Sequence, residues 1–242
     1  MKFYGVPVEE RREVGRYTVL SYRWPGNVEP GQFVMARAAG WPFTLDPFLA
    51  RPFSFYDHDG EVASLLFEVR GRGTALLDRA EKIEVSAPLG RGFEVEHPHK
   101  AALLGGGVGI APLKILGRRL EELGVPHDVF LGFADAPTAG AAGDFPGAGV
   151  ATMDGSVGTP GTVLDAVPGE AGYGSVYACG PNPMLAAVKR AVGGGRFCQL
   201  SVEERMGCGN GSCNGCAVPV RSGGYVRSCV EGPVFMADAL AW

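Results

Sequence analysis

The chain has 242 residues, enough for one large domain or two to three small ones. Hydrophobic residues make up 46% and charged residues 20%, which supports packed cores and excludes global disorder. The net charge of −4 argues against a nucleic-acid binder that works through a basic stripe, and no apolar run reaches the roughly 18–20 residues of a membrane helix.

Taken in chain order, the start Met1–Arg12 is charged and contains proline, with no apolar signal core, so a cytoplasmic protein is expected. Gly15–Trp24 has the alternation and β-branched content of a strand. Gln32–Arg37, Arg51–Tyr56, Val62–Val69 and Ile83–Ala87 predict further strands, separated by turn-rich breaks. Short strands at this spacing predict a small antiparallel barrel, with Pro88–His99 as a linker. The rhythm then changes. Strands are predicted at Ala101–Leu104, His127–Phe133, Gly149–Met153 and Gly174–Ala178, with helices at Pro112–Leu123 and Asn182–Val192. Such alternation indicates a parallel sheet with crossovers. Ala134–Gly149 is rich in Ala, Gly and Pro and is expected to be a mobile loop, and Phe197–Trp242 a third unit. The expected fold class is therefore β followed by α/β: an N-terminal antiparallel β-barrel (1–98), a parallel-sheet nucleotide-binding domain (99–196) and a small C-terminal cysteine-bearing unit (197–242). The 38 glycines, more than twice the usual share of roughly 7%, require turns or close backbone approach to a ligand.

Six cysteines, Cys179, Cys198, Cys208, Cys213, Cys216 and Cys229, carry the strongest chemical signal. The last four have the spacing C-x4-C-x2-C-x12-C, that of a plant-type [2Fe–2S] loop. Four thiolates around two irons and two sulfides make an anionic centre. The interleaved Gly207, Gly209, Gly211 and Gly215 let backbone N–H groups wrap it closely. Structural zinc and disulfides are the alternatives, although zinc ribbons usually use two C-x-x-C hooks and only Cys213–Cys216 fits one. Cys198, in an apolar strand-like stretch, is expected to be a buried structural thiol. Cys179 ends a strand before Gly180 and Pro181, at the carboxyl edge of a parallel sheet, where ligands bind; packing and functional roles both remain open for it.

Two further constellations suit nucleotides. Gly105, Gly106, Gly107, Val108 and Gly109 form a strand-to-helix turn whose amides favour a pyrophosphate, or else merely a tight turn. The spacing is not G-x-G-x-x-G, and Asp135 is only a candidate for a ribose partner. Arg51, Pro52, Phe53 and Ser54 offer a guanidinium fork for phosphate, a small hydroxyl and a ring that suits either a heterocycle or the barrel core. Gly71–Thr74 is a second turn able to supply amides and a hydroxyl. The four histidines are scattered, with His97 and His99 in the linker, and no Ser/His/Asp nucleophilic set is present, so no catalytic residue is assigned.

In this order, R-P-F-S, G-x-G-T, G-G-G-x-G-x-A-P and C-G-P make the first two thirds resemble the ferredoxin-NADP reductase superfamily. With the cysteine loop, Glu203–Met206 before it and Gly232–Phe235 after it, the whole chain resembles the iron–sulfur electron-transfer subunits of class 1B dihydroorotate dehydrogenases. The resemblance implies FAD held by Arg51–Ser54, by Glu68, Val69 and Arg70, and by Gly73 and Thr74. It implies NAD near Gly105–Gly109, near Asp154, Gly155 and Ser156, and near Cys179, Gly180 and Pro181. It implies [2Fe–2S] ligation by Cys208, Cys213, Cys216 and Cys229. Asn210 and Asn214 stand where apolar residues are expected, and Met153 where a second acid is expected.

NAD exchanges hydride, a cluster exchanges single electrons, and a flavin does both, so the set implies a converter. The implied partner is an FMN-containing dihydroorotate dehydrogenase catalytic subunit, two of each chain forming a heterotetramer. Electrons would run from that FMN through the cluster and FAD to NAD+ in pyrimidine biosynthesis. About 45 residues build no independent core without a metal or a neighbour, so the cluster is expected near an interface. Alternatives are a related subunit of a sulfide dehydrogenase or of an NADH-dependent ferredoxin:NADP oxidoreductase, and a zinc-stapled binding protein without redox chemistry.

Overall fold

The computed structural model describes residues 1–40, 46–95, 99–169 and 172–242. His97, expected in the linker, and the expected domain boundary at 98/99 fall at 96–98, outside the described residues.

The first unit is an antiparallel seven-stranded sheet built from β1 (Phe3–Pro7), β2 (Glu10–Val14), β3 (Tyr17–Arg23), β4 (Phe33–Ala38), β5 (Arg51–His58), β6 (Val62–Glu68) and β7 (Lys82–Ser86), in the order β1-β7-β4-β5-β6-β3-β2. Leu20, Tyr22, Val34, Phe53, Phe55, Leu65, Phe67 and Ile83 fill its interior. Tyr4 and Trp24 meet edge to face at 5.5 Å, between β1 and the end of β3. The edge strands β1 and β2 lie in the charged segment where no strand was expected. Their alternation is weak because one face is open to solvent, and pairing with β7 and β3 supplies what propensity does not. The turn expected around Gly71–Thr74 continues into a short helix, α1 (Arg72–Leu77).

The second sheet has the order β11-β10-β9-β8-β12-β13-β16, from β8 (Ala101–Gly106), β9 (His127–Phe133), β10 (Gly149–Thr152), β11 (Thr159–Pro160), β12 (Ser175–Gly180), β13 (Phe197–Val202) and β16 (Val234–Met236). All its pairs are parallel except β13 with β16. Helices α2 (Ala111–Glu122) and α4 (Asn182–Val192) are the crossovers, each burying one apolar stripe, Leu113, Leu116 and Leu120 on the first and Leu185 and Val188 on the second. The stretch expected as a mobile loop, Ala134–Gly149, is instead largely helical, with α3 (Ala136–Ala139) running into a 3-10 turn over Gly140–Asp144. Asp135 caps α3, accepting from the Thr138 N–H at 3.0 Å, and Ala139, Ala141 and Phe145 are buried against the barrel residues Tyr17 and Tyr56.

Residues 197–242 do not stand apart. β13 and β16 complete the parallel sheet, and the hairpin β14 (Ala217–Pro219) and β15 (Tyr225–Arg227) hangs from it. Val218 and Leu240 join the core of that sheet, which answers how so short a segment is packed.

Charged and close backbone contacts seat the barrel against the sheet. Arg12 binds Asp144 at 2.5 Å, Tyr56 Oη donates to the same carboxylate at 2.6 Å, and Arg118 binds Asp57 at 2.5 Å. Gly15, in the left-handed region, packs so tightly that a Cβ there would stand 2.4 Å from the Pro137 carbonyl oxygen. The carboxyl edge of the parallel sheet thereby faces β4–β6. No helix among the described residues is long and apolar enough to cross a membrane.

Candidate functional site

A cleft of about 260 Å³ opens between barrel and sheet. Its barrel wall carries Pro52, Phe53 and Ser54 of β5, Glu68 at the end of β6, Arg70 beyond it, and Thr74 of α1. Val69, between them, is 45% exposed. Phe53 serves both readings made of it, lining the cleft while packing on Phe67 at 5.5 Å within the barrel core. Arg51 lies over the helix α1 turn. A Cβ on Gly73 would stand 2.7 Å from Arg51 Nε, so glycine is what lets the guanidinium reach that turn. The R-P-F-S and G-x-G-T motifs therefore meet in space. Thr74 Oγ1 closes the turn itself, accepting from the N–H groups of Arg70 (3.0 Å) and Gly71 (3.2 Å) and donating to the Gly71 carbonyl (3.0 Å). Glu68 and Arg70 pair at 2.5 Å.

Across the cleft, the glycine-rich turn divides its labour. A Cβ on Gly109 would stand 2.6 Å from the Cys179 carbonyl oxygen, and one on Gly106 would strike Met184 Sδ, so both glycines serve the close approach of β8 to β12 and α4. Gly105 is packed among Ile110, Leu113 and Leu131. Gly107 takes the left-handed conformation, where a Cβ would meet only Tyr17 Oη, at 3.9 Å, and Val108 lines the cleft. This turn thus meets Cys179, Gly180 and Pro181.

Cys179 is buried at the end of β12, its Sγ donating toward Glu203 Oε1 at 4.0 Å. Burial pushes its thiol well above the ordinary range and Glu203 pushes it further, with the Ser201 hydroxyl pulling the other way, so it stays protonated. Glu203 is open to the cleft but enclosed by protein on its other sides. Burial raises its carboxyl, and Arg70 opposes that. Ser201, Glu203, Glu204 and Met206 complete the cleft wall and were not assigned to a nucleotide site from sequence. The signal was present: β13 ends at Val202, and ligands gather at the carboxyl edge of such a sheet. Placing Phe197 onward in a separate unit hid it.

Farther along that edge, after β10, Asp154 accepts from the Ser156 N–H at 3.0 Å and from its hydroxyl at 2.6 Å, which keep the carboxylate below its ordinary range. Gly155 takes the left-handed turn between them, and Met153 is 72% exposed. From β10 to β12 is three strand spacings, about 14 Å. Asp135, the other ribose candidate, is engaged as the α3 cap and faces Arg16 at 3.5 Å.

The cysteine loop leaves the sheet after β13 and lies on β4. A Cβ on Gly209, in the left-handed region, would stand 2.7 Å from Met35 Cγ. All six cysteines are free thiols. The four of the motif stand as two pairs. Cys213 donates its N–H to Cys208 Sγ at 3.4 Å, and Cys216 and Cys229 are packed in one buried apolar cluster. Among the described residues no three His, Cys, Asp or Glu side chains converge on one point as a single ion requires. A dinuclear cluster asks for two thiolates at each iron, which is what two pairs supply.

The pairs differ. Cys216 and Cys229 are 2% and 3% exposed, packed with Phe33 and Met35 and flanked by Leu89 and Met206. Burial, and then Cys216, push the Cys229 thiol up to about 12. Cys208 is half-buried and Cys213 exposed. Burial alone would raise Cys208, but the N–H groups of Asn210 and Cys213 and the Cys213 thiol bring it down to about 6. Gly215 N–H donates to Cys213 Sγ at 3.4 Å. Thiols with inward N–H groups and a glycine-lined wrap fit an anionic iron–sulfur centre. The two unexpected asparagines are turn formers: Asn210 Oδ1 accepts from the Ser212 hydroxyl at 2.8 Å, and Asn214 holds a left-handed φ of 55°. Cys198 is buried in the sheet core, its thiol pushed up to about 12 by burial.

Comparison with known proteins fits this geometry. The family model of the iron–sulfur cluster binding domain of dihydroorotate dehydrogenase B matches residues 203–241. The electron transfer subunit of dihydroorotate dehydrogenase B (NAD(+)) from Caldanaerobacter subterraneus subsp. tengcongensis is 36% identical, over 96% of this chain and 95% of the relative. The corresponding subunit from Geobacillus thermodenitrificans is 39% identical over 86% of this chain and 85% of the relative. Among solved structures, an NADH-dependent reduced ferredoxin-NADP oxidoreductase superposes with a TM-score of 0.85 at 26% identity, covering 98% of this chain and 90% of that one. Phthalate dioxygenase reductase shares the fold, with a TM-score of 0.59 at 14% identity over 99% of this chain and 96% of that one.

Proposed function

The chain belongs to the family of dihydroorotate dehydrogenase B (NAD(+)) electron transfer subunits, and we propose on that premise that its cleft and cysteine loop form one continuous device coupling NAD to a dihydroorotate-oxidising partner. The observation that carries the reading is a shared wall: Phe33 and Met206 line the cleft and also belong to the apolar cluster in which the buried cysteine pair is packed. A flavin held in the cleft and a cluster held by the loop would then share that apolar wall.

The residues suit these roles. Arg51 brings a fixed positive charge to the α1 turn for a pyrophosphate, and Pro52, Phe53 and Ser54 offer a flat, mostly apolar wall. Glu68, Arg70, Gly73 and Thr74 set the turn geometry around it, with Val69 exposed between Glu68 and Arg70. Gly105–Gly109, Asp154–Ser156 and Cys179–Pro181 would hold NAD along the sheet edge, the about 14 Å from β10 to β12 suiting a dinucleotide laid across it. Cys208, Cys213, Cys216 and Cys229 would ligate the cluster. When bound, FAD supplies the exchange of a hydride for single electrons and the [2Fe–2S] cluster supplies one-electron transfer. Cys179 stays a neutral thiol beside Glu203, while Glu203, its carboxyl raised, can hold a proton at the cleft. No side chain here is arranged as an activated nucleophile.

The family implies a catalytic partner. We take that partner to carry FMN and to assemble with this chain two by two in the cytoplasm, meeting it near the exposed Cys213. The units 1–98, 99–196 and 197–242 are retained as a division of labour, with β13 and β16 of the third completing the sheet of the second. Identity of 36% and 39% to these subunits, against 26% to the ferredoxin-NADP oxidoreductase chain, favours dihydroorotate over the related reading. The test is a complex purified anaerobically with its partner. It should reduce NAD+ with dihydroorotate, and Cys213→Ser should stop this while NADH still reduces the flavin. Undiminished dihydroorotate-to-NAD turnover in that variant would overturn the reading.

A further inference from the structure

Asp144 ends the 3-10 turn that follows α3, between β9 and β10 of the sheet. Donors from three elements close on it. Arg12 of β2 gives one N–H to each carboxylate oxygen, Nη1 to Oδ1 at 3.2 Å and Nη2 to Oδ2 at 2.5 Å. Tyr56 of β5, wholly buried, donates its hydroxyl to Oδ2 at 2.6 Å. Lys114 of α2 donates to the Asp144 backbone carbonyl at 3.1 Å, and its Nζ lies 5.6 Å from the centre of the Tyr56 ring and 5.7 Å from that of Phe145. Burial would raise the Asp144 carboxyl, but Arg12 and Tyr56 hold it below its ordinary range, so at neutral pH it is charged.

Two of the elements that reach this node also reach the cleft. Tyr56 is two residues past Ser54 on β5, and Lys114 is three past Ala111 at the start of α2. Ser54 lines the barrel wall, and Ala111, with Val108, the wall facing it. Beside the node, barrel and sheet meet through apolar groups, Val19 and Leu66 with Ile110 and Leu131. Such contact is non-directional and leaves the two faces free to slide. A carboxylate held by charge-assisted hydrogen bonds from fixed directions does not. Arg118, one turn further along α2, makes a second pin, with Asp57 at 2.5 Å and the His58 carbonyl at 2.7 Å. Without the Asp144 node the sheet would rock about that second pin and change the width of the cleft.

We propose that Asp144 is a positioning residue for hydride exchange: by pinning β5 to the start of α2 it sets the gap across which nicotinamide and flavin meet. The proposal rests on reading the cleft as the place where FAD and NAD come together. There NADH and FAD give NAD+ and FADH−, one hydride crossing with its electron pair. A misplacement of about 1 Å costs such a step up to about 100-fold. Binding of NADH, made at the sheet edge, is left intact.

The test uses the anaerobic complex with its partner, carrying Asp144→Asn or Tyr56→Phe. Stopped-flow bleaching of the flavin over a range of NADH concentrations separates the limiting rate from the NADH dissociation constant. The limiting rate should fall by about tenfold in Tyr56→Phe and by up to about 100-fold in Asp144→Asn, with the dissociation constant and the flavin and iron contents unchanged. The second readout is amide exchange, which needs no turnover. The Arg16 N–H crosses from barrel to sheet, donating to the Pro137 carbonyl at 2.9 Å. Its exchange should quicken in both variants while β8 and β12 stay protected. Wild-type limiting rates in both variants, a loss confined to NADH affinity, unchanged exchange at Arg16, or exchange that quickens equally across β8 and β12 overturns the proposal. If Asp144→Asn does not fold, Tyr56→Phe alone decides. An unmodified complex whose flavin NADH does not bleach would instead sink the reading of the cleft.

Discussion

The two cysteine pairs belong to one loop system yet sit in opposite surroundings. Cys216 and Cys229 are sealed against Phe33 and Met35, on the wall that also bounds the nucleotide cleft. Cys208 and Cys213 lie toward solvent, served by backbone N–H groups. An apolar, inward pair beside a donor-rich, outward pair gives the loop a direction: one side faces the cleft and the other is free to meet a partner. Arg227 spans the two, rooted in the turn of Cys229 and reaching the loop of Cys208.

The largest break in that contrast is loss of an inward cysteine. Cys229→Ser should remove cluster iron and cut dihydroorotate-to-NAD turnover by more than the about 100-fold that changes around a metal's ligands reach. NADH oxidation by an artificial flavin-directed acceptor should persist, and paired assays of the two activities measure this. Next comes the wall. Met35 is fully buried between the barrel and Gly209, so Met35→Ala should cost about 2–5 kcal/mol in chemical unfolding and loosen cluster retention.

A smaller effect tests the cleft side of the contrast by pH. Glu203 has a folded pKa raised above its unfolded value, chiefly by burial. Its contribution to stability is present below the unfolded pKa and is lost as pH rises through the folded one. Glu203→Gln should therefore flatten the stability profile above the ordinary carboxylate range, with little change in acid. Unfolding midpoints across pH check this, and parallel profiles would contradict it. The smallest effect is expected at Asn214, where the left-handed turn alone decides. Asn214→Gly should be neutral within about 1 kcal/mol and leave cluster content unchanged, while Asn214→Val should be strained, as iron content and melting will report.

What could be read from sequence follows the same division. The cysteine loop is local: thiol spacing and interleaved glycines name its chemistry without any tertiary information. The R-P-F-S and G-x-G-T turns were legible as phosphate-binding material, and their meeting through Gly73 and Arg51 needed only that both sit on one barrel. The far wall of the cleft was not legible. Glu203 reaches it because β13 pairs with β12, and that pairing was hidden once the cysteine-rich composition had marked Phe197 as the start of a separate unit. Ala134–Gly149 misled for a related reason. Its small residues suggest freedom, but Asp135 caps a helix there and Gly140 packs directly on Gly15, so the smallness serves close contact between barrel and sheet. The strands β1 and β2 escaped notice because edge strands with a solvent face carry little periodicity.

The central claim is that the inward cysteine pair and the cleft share a wall and so act as one conduit. Its most direct test is rapid-freeze electron paramagnetic resonance of the anaerobic complex after mixing with NADH. A signal from a singly reduced [2Fe–2S] centre should grow as the flavin bleaches. A flavin that bleaches fully while the iron centre stays oxidised and silent would contradict the account.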